Sequence, residues 1–344
     1  MEEPGKRPGE SRWYRAAQRF LSHGARGPLS VLLTEHQEKA AQATLGAFSV
    51  RADALAPELE SNVATAWRQF EGLATDALAE MRGRVAELAA RAPIPTCAAT
   101  FDRWWRGGGP EYLDDPALDR SIRVRILSHL DALNQLMGSY RLFFDCVRPF
   151  AGAGGPTRVL DLATGHGGFA LALVELAREQ GLRLEVTASD IMPEYLELGH
   201  RSAARRALPV HFRVQDALDL MSVPEGSFDV ITCTQSLHHF TAGQVALMFA
   251  QACRVAARGV VFIDGARSLL NATMIGGLGL CVYRDAAFTH DAWVSFRRFF
   301  LVEELALLGR LCPWARQARS RWCRPGHCVL EYRRLPETAS RAEC

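Results

Sequence analysis

The segment 157–168, TRVLDLATGHGG, constrains the fold of this 344-residue chain more than any other stretch. Its first half is apolar and predicts a buried strand, while Gly165 and Gly167 allow the backbone to turn tightly beside a ligand. The residues that follow, FALALVELAREQ, have helical periodicity. A strand, a glycine turn and a helix N-terminus in this order place a ligand at the carboxyl edge of a parallel sheet.

Asp161 distinguishes this turn from the glycine loops that bind pyrophosphate. Dinucleotide folds use G-x-G-x-x-G at this place, and here no third glycine follows at that spacing. A carboxylate repels a pyrophosphate but attracts a cation. The segment resembles the first motif of the class I methyltransferases, D-x-G-x-G-x-G, whose cofactor S-adenosylmethionine carries an ammonium and a sulfonium. Ala163 replaces the first glycine, as it does in ubiquinone-biosynthesis-like members of that family.

Three more segments match this family in order along the chain. LRLEVTASDIM predicts a second strand, HFRVQDAL a third, and SFDVITCTQ a fourth. In the family, the acid at the end of the second strand accepts both ribose hydroxyls, and the residues after the strands surround the adenine. The resemblance therefore implies cofactor contacts from Asp161, Ala163, Gly165, Gly167, Asp190, Ile191, Met192, Asp216, Ala217 and Gln235.

The residues ahead of the first strand predict two helices. Their sequences L-D-D-P and N-Q-L-M-G-S-Y-R resemble bacterial small-molecule methyltransferases of secondary metabolism, in which such helices cover the cofactor. Tyr140 and Arg141 are therefore candidates for its methionine end, because a guanidinium binds a carboxylate through a planar fork. An arginine solvated on a helix face is the alternative interpretation of Arg141.

The loop after the fourth strand carries the candidate catalytic residues. A histidine there can accept the proton that a hydroxyl acceptor loses near pH 7. His238 is expected to be the general base, because His239 followed by Phe240 resembles family members with quite different acceptors. The two imidazoles are expected to diverge, with His290 as the reserve candidate. In the alternative interpretation both imidazoles bind loop backbone and catalysis is by alignment alone.

The order of elements predicts an α/β fold, a doubly wound, seven-stranded and mostly parallel sheet with an N-terminal helical extension. Thr241 and Gln244 form a capping box that predicts a helix start at 241. GVVFIDGARS predicts the fifth strand, and a helix is expected to open near Glu303 ahead of the last two strands. The expected divisions are a disordered tail at 1–12, a helical segment at 13–110, cofactor-covering helices at 111–150, a catalytic domain at 151–335 with a mobile lid insert at 268–294, and a tail at 336–344.

An apolar stripe runs through the N-terminal segment and ends near Pro93. Trp67, Phe70, Met81 and similar residues recur at three- and four-residue steps, as on one face of a helix. We expect residues 1–95 to form an autonomous or dimerising helical layer that does not touch the cofactor. This layer either lies on the catalytic domain or pairs with a second copy in a homodimer.

Composition excludes several classes of partner and site. The net charge is +2, no apolar run is long enough to span a bilayer, and the N-terminus lacks the hydrophobic core of a signal peptide. A cytoplasmic protein with reduced thiols is expected. Cys323, His327 and Cys328 lack the second ligand pair of a zinc site, so no metal is expected. TQSL after the fourth strand lacks the Asn/Asp-Pro-Pro-aromatic turn that the nucleic-acid amine methyltransferases share, so no nucleic-acid substrate is expected.

The expected function is S-adenosylmethionine-dependent methyl transfer to a small molecule, at a hydroxyl or an amine of a secondary metabolite. Two alternatives from other classes stay open. One is a non-catalytic cofactor-binding protein that works through its helical N-terminal segment. The other is an NAD-dependent oxidoreductase built on the same kind of sheet.

Overall fold

A computed structural model describes residues 28–334 of the protein, except for residues 108, 116, 153–154 and 324–325. The tails expected at 1–12 and 336–344 therefore lie outside the described residues. No helix in the described part of the chain is long and apolar enough to cross a membrane.

A seven-stranded sheet in the order β3-β2-β1-β4-β5-β7-β6 forms the centre of the fold. Strands β1 to β5 pair in parallel, and β7 is antiparallel to both β5 and β6. The predicted mostly parallel sheet is thus confirmed. The strands are β1 Thr157–Leu162, β2 Leu184–Asp190, β3 Val210–Val214, β4 Phe228–Thr234, β5 Ala256–Gly265, β6 Arg319–Cys323 and β7 His327–Arg333.

The helices of the sheet region cover both of its faces. The capping box predicted at Thr241 is present, since the Thr241 hydroxyl accepts from the Gln244 amide at 3.3 Å and the Gln244 side chain accepts from the Thr241 amide at 2.9 Å. Gly138, with φ of +69°, separates α4 from α5. The helices are α4 Arg120–Met137, α5 Ser139–Val147, α6 Gly168–Glu179, α7 Pro193–Arg206, α8 Ala242–Val255, α9 Leu269–Leu278, α10 Ala286–Arg298 and α11 Val302–Leu311.

The strand order reverses between β1 and β4. The crossovers from β1 run outward to β2 and β3, whereas those from β4 run to β5 on the other side. Carboxyl ends of parallel strands that diverge in this way leave a crevice at the edge of the sheet, where ligands of doubly wound folds bind. This position is where the sequence analysis places the functional site.

Three N-terminal helices, α1 Pro28–Glu60, α2 Ala64–Ala89 and α3 Pro93–Trp105, share the core of the sheet. Trp67, Phe70 and Met81 on α2 are buried in one apolar cluster with residues of β4, β5 and α8. A Cβ at Gly243 of α8 would lie 2.2 Å from the Glu71 carbonyl oxygen, so α2 and α8 touch almost backbone to backbone. The apolar face that was a candidate for pairing with a second copy is therefore covered within the chain.

A buried ion-pair network also fastens these helices to the sheet. The Arg267 guanidinium, after β5, lies 2.9 Å from Asp102 of α3 and 3.2 Å from Glu304 of α11. Arg82 of α2 reaches the same Glu304 at 2.7 Å. Burial alone would raise the pKa of the Glu304 carboxyl, but the two guanidiniums hold it well below its usual range. The N-terminal helices are therefore not an independent layer.

The insert at 268–294 is helical, made of α9, a π-turn at Gly279–Tyr283 and most of α10. The helix expected to open near Glu303 is confirmed as α11, which begins at Val302. The preceding helix α10 ends at Arg298, because the chain leaves helical geometry at Phe299, where φ is −54° and ψ is 146°. Arg267 holds this break by donating to the Phe299 carbonyl at 2.8 Å. Phe299 thereby directs its ring toward the sheet edge.

Candidate active site

A cavity of about 440 Å³ opens at the carboxyl ends of the strands, under α4, α9 and α10. We distinguish two parts of its lining. The cofactor side is the set of residues that follow β1, β2 and β4, namely Ala163, Thr164, Gly165, Asp190, Ile191, Met192 and Gln235. The acceptor side consists of Glu111, His238, His239, Ser295 and Phe299.

Backbone geometry shapes the cofactor side. Gly165 and Gly167 have φ of +57° and +77°, and Ala163 adopts +48° although it carries a side chain. A left-handed backbone conformation costs an L-residue roughly 1 to 2 kcal/mol. Ala163 adopts it nevertheless, so the turn has the shape that a glycine would give at this position. The Asp190 carboxylate fixes the turn by accepting from the Gly165 amide at 2.8 Å and the Met192 amide at 2.9 Å.

Asp161 lies behind this turn and does not line the cavity. It is fully buried, and its two oxygens accept from the hydroxyls of Thr164 at 2.5 Å and Thr232 at 2.7 Å. Burial raises the pKa of the Asp161 carboxyl to about 6. Asp161 therefore does not reach the cavity as expected, whereas Thr164, which donates to it, does line the cavity.

Four further predicted cofactor residues do not line the cavity, whereas Tyr140 does. Gly167 faces the Phe212 ring instead, since a Cβ there would lie 2.9 Å from it. Arg141 points away from it toward Glu179 at 3.4 Å, because successive residues of a helix lie about 100° apart. Asp216 accepts from the Leu218 amide at 2.9 Å and stabilises its own turn, while Ala217 is buried in the core. The solvated-helix interpretation describes Arg141 correctly.

Polar contacts from the covering helices complete the cofactor side. The Tyr140 hydroxyl donates to Asp131 at 2.7 Å, and burial raises the pKa of Tyr140 well above its usual value. Asn134 and Gln235 exchange two amide hydrogen bonds, at 2.6 and 3.0 Å, which tie α4 to the end of β4. Sequence reasoning missed Asn134 and Asp131, since helix residues are not marked by a strand end or a glycine turn.

His238 is held by Asp264 at the end of β5. The Asp264 carboxylate oxygen lies 2.9 Å from His238 Nδ1 and also accepts from the His238 amide at 2.8 Å. This pair assigns the proton to Nδ1 and leaves Nε2 as an acceptor. The Phe299 ring lies edge-on against the imidazole at 4.8 Å, and a Cβ at Gly265 would lie 2.2 Å from that ring.

His239 has the same arrangement with a different acid. Its Nδ1 lies 2.8 Å from Asp114, which also accepts from Arg298 at 2.7 Å. Burial opposes ionisation of Asp114, but these two partners hold its pKa well below the usual range. The imidazoles of His238 and His239 do not diverge as expected, since their ring centres are 4.2 Å apart. Their different carboxylate partners turn both Nε2 atoms toward one point.

Glu111 occupies that point and comes from the segment between α3 and α4. One carboxylate oxygen lies 3.5 Å from His238 Nε2 and accepts from the Ser295 hydroxyl at 2.9 Å, and the other lies 3.9 Å from His239 Nε2. Burial raises the pKa of Glu111 to about 7. The ligand-capable atoms of the two histidines and Glu111 lie within 4.8 Å of one another, so a metal ion would also fit this cluster. No sequence signal pointed to Glu111, which precedes every recognised motif.

His290, the reserve candidate, lies outside the cavity lining. Its Nδ1 is 3.0 Å from Asp291, and its ring packs on Tyr112 at 4.6 Å. Asp291 accepts from the amides of Tyr112 and Leu113 at 2.7 and 3.2 Å. These contacts fix the segment that carries Glu111, so the surroundings of His290 are structural.

The cysteines in the described residues are free thiols. Cys233 is fully buried inside β4, as expected for a core residue. His327 lines the cavity with an Nδ1 atom that has no hydrogen-bond partner, and burial lowers the pKa of its imidazole to about 4.

Comparison with known proteins identifies part of the chain. Residues 159–259 match the family model of a methyltransferase domain. A demethylmenaquinone methyltransferase of Deinococcus radiodurans is 39% identical over 85 residues, which are 25% of this chain and 33% of that protein. A ubiquinone biosynthesis O-methyltransferase of Xanthomonas oryzae pv. oryzae is 33% identical over 143 residues, 41% of this chain and 47% of that protein. The chain thus spans between a third and a half of the length of these curated relatives.

Among solved structures, an O-methyltransferase family protein from Burkholderia thailandensis has a TM-score of 0.43 and 18% identity, covering 63% of this chain and 61% of that one. The family match over residues 159–259 confirms the resemblance on which the sequence analysis relied. Residues 159–259 are thus similar to a methyltransferase domain, and they lie in the seven-stranded, mostly parallel sheet that the resemblance implied.

Proposed function

We propose that this protein transfers a methyl group from S-adenosylmethionine to a hydroxyl or an amine of a small-molecule acceptor. One observation carries the proposal: the glycine turn after β1 and the His238–Asp264 pair open into the same cavity. The first is suited to hold a cofactor and the second to take a proton. A methyltransferase domain that contains both has the parts that the reaction needs.

The cofactor side has the chemistry to hold S-adenosylmethionine. A Cβ at Gly165 would meet nothing within 4 Å, so open space lies directly beside the turn. Asp190, Ile191 and Met192 line the cavity beside this turn. We expect Asp190 to accept the ribose hydroxyls while it holds the turn, and Ile191 and Met192 to cover the adenine. The carboxylate of Asp131, beside Tyr140, suits the positive methionine end.

Catalysis then depends on position and on one proton. The bound cofactor supplies an activated methyl group on its sulfonium sulfur. The protein aligns the acceptor with that group, and alignment accounts for most of the rate. His238 Nε2 accepts the acceptor's proton, and Asp264 stabilises the resulting imidazolium through Nδ1. Phe299 and residues of the helices α9 and α10 line this region.

The lining also limits the acceptor. Carboxylates on the acceptor side repel phosphates, which argues against a nucleic-acid substrate. Apolar side chains from the covering helices instead suit an acceptor with an apolar body. They are Leu127, Leu130, Met137, Met274, Ile275, Phe288 and Phe296.

Equilibrium binding separates this proposal from its alternatives. We expect calorimetry to show micromolar binding of S-adenosylhomocysteine and no binding of NAD. Transfer of tritium from labelled cofactor to an acceptor is expected in a screen of phenols and amines with apolar bodies. Binding of NAD without S-adenosylhomocysteine would favour an oxidoreductase. Cofactor binding without transfer to any acceptor of the screen would favour a non-catalytic binding protein.

A further inference from the structure

Three hydrogen-bond acceptors converge on the acceptor side. Because Asp264 and Asp114 hold the Nδ1 atoms of His238 and His239 at 2.9 and 2.8 Å, both imidazoles present a lone pair at Nε2. The third acceptor is the Glu111 carboxylate, 3.5 and 3.9 Å from these atoms. Both distances exceed a normal hydrogen bond, so the three groups do not satisfy one another. They are arranged for a ligand that donates several hydrogens.

The charges around this point also favour a cationic ligand. Two further carboxylates line the cavity near it, Asp114 of the Tyr112–Asp114 turn and Asp291 of α10, and Asp264 of β5 contacts the Nδ1 side of His238. Among the described residues near Glu111, Arg298 is the guanidinium that faces it, and it is shared, lying 2.7 Å from Asp114 and 3.6 Å from Glu111. Glu111 is only 4% exposed, so its negative charge is poorly solvated. A cation bound here would offset that cost.

We propose that the group methylated by this protein is an amine on an apolar body, and that Glu111, His238 and His239 bind it as an ammonium. This inference rests on the methyl transfer proposed above and names its acceptor class. A primary ammonium offers three N–H donors to three converging acceptors. A hydroxyl offers one donor and would leave the other acceptors of the cluster without a hydrogen bond to the ligand, which is less favourable.

In the proposed reaction, one proton of the ammonium moves to His238 before the methyl group is transferred. The ammonium passes one N–H proton to His238 Nε2, which frees the nitrogen lone pair. That pair forms the new N–C bond with the methyl carbon as the C–S bond breaks, and the C–S electrons stay on sulfur. The product is a secondary ammonium, which Glu111 and His239 still bind. The proton on His238 leaves to solvent when the products leave.

An isosteric pair of probes tests the inference. Binding of 2-phenylethylamine and 2-phenylethanol is measured by calorimetry with saturating S-adenosylhomocysteine, and turnover is measured with tritiated S-adenosylmethionine. We expect the amine to bind at least about tenfold more tightly than the alcohol and to be the methylated probe. Tryptamine with tryptophol, and cyclohexylamine with cyclohexanol, repeat the comparison with other apolar bodies. Equal or tighter binding of the alcohols in all three pairs would overturn the inference.

Variants test whether the preference for amines over alcohols comes from Glu111, His238 and His239. Glu111→Gln should reduce amine binding tenfold or more and abolish the preference, with unchanged affinity for S-adenosylhomocysteine as proof of folding. Glu179→Gln, an exposed glutamate paired with Arg141, is the matched control and should keep the preference. An amine preference that survives Glu111→Gln contradicts the assignment. So does amine binding that EDTA removes and Zn²⁺ restores, since the cluster would then be a metal site.

The outcomes also separate this inference from the proposed function. Methyl transfer to hydroxyl acceptors without amine preference would overturn the amine assignment and keep the methyltransferase. Failure to bind S-adenosylhomocysteine would instead overturn the methyltransferase itself.

Discussion

The cofactor side and the acceptor side of the cavity are built in different ways. On the cofactor side, short loops that directly follow β1, β2 and β4 supply the lining, and backbone amides such as those of Gly165 and Met192 hold it together. On the acceptor side, Glu111, His238 and Ser295 come from three distant parts of the chain and depend on side-chain hydrogen bonds.

This difference indicates which parts of the protein cofactor binding and acceptor binding each depend on. A turn whose backbone amides are held by a carboxylate of the neighbouring strand depends mainly on the sheet, whereas a convergence of side chains depends on every element that carries one. Changes on one side should therefore leave the function of the other intact. The predictions below test this separation, from the largest expected effect to the smallest.

Removal of the proposed base should affect the acceptor side alone. We expect His238→Gln to lower kcat by about 10²- to 10⁴-fold, because the imidazole no longer accepts the proton. Affinity for S-adenosylhomocysteine should not change. His211→Gln is the control, because His211 is exposed on β3, lies outside the cavity lining and should keep the wild-type rate. Wild-type kcat in His238→Gln would show that alignment alone drives the reaction.

A large-to-small substitution in the apolar core that α2 shares with β4 and β5 should weaken the cofactor side and the acceptor side together. Phe70 of α2 is fully buried in the cluster that includes β4 and β5. We expect Phe70→Ala to lower the free energy of unfolding by about 3 to 5 kcal/mol, measured in urea. Val50→Ala, at a residue that is 71% exposed, should change it by less than about 0.5 kcal/mol.

The same experiment tests whether the N-terminal helices are independent. If Phe70→Ala unfolds them separately, two transitions will appear, and the catalytic domain will keep its wild-type midpoint. We expect a single unfolding transition, with cofactor binding lost over the same range of urea concentration.

Glu111 should make stability depend on pH. Burial raises its pKa from 4.5 to about 7, so the folded protein binds its proton more tightly than the unfolded chain. The stability from this group is complete below pH 4.5 and is lost as the pH rises through 7. The loss reaches about 3 kcal/mol. The free energy of unfolding, measured in urea, should therefore fall between pH 5 and pH 8 in the wild type and fall less in Glu111→Gln. Parallel pH curves for the two proteins would contradict the raised pKa.

Loss of Asp190 should affect the cofactor side alone. We expect Asp190→Ala to weaken S-adenosylhomocysteine by roughly 10- to 150-fold, or about 1.5 to 3 kcal/mol, with kcat unchanged at saturating cofactor. Asp216→Ala is the matched control, since Asp216 does not line the cavity. An equal loss of affinity for S-adenosylhomocysteine in both variants would contradict a specific role of Asp190 on the cofactor side. Asp161→Ala is a different case, because its buried hydrogen bonds to Thr164 and Thr232 make a loss of stability the expected result.

The sequence by itself determined the sheet, the glycine turn and the positions that follow each strand. It did so because strand periodicity, glycine turns and helix caps are local properties, as the segment 157–168 and the box at Thr241 illustrate. The same local rules put Gln235 and His238 at the cavity, although their roles there stay predictions.

Only the tertiary structure decided which side chains meet. It turned Arg141 away from the cavity, buried Asp161 behind the turn and brought Glu111 to the two imidazoles. It also covered the apolar stripe of α2 with the chain's own sheet. Such convergence depends on the packing of helices and loops far apart in sequence, and no short window of residues encodes it.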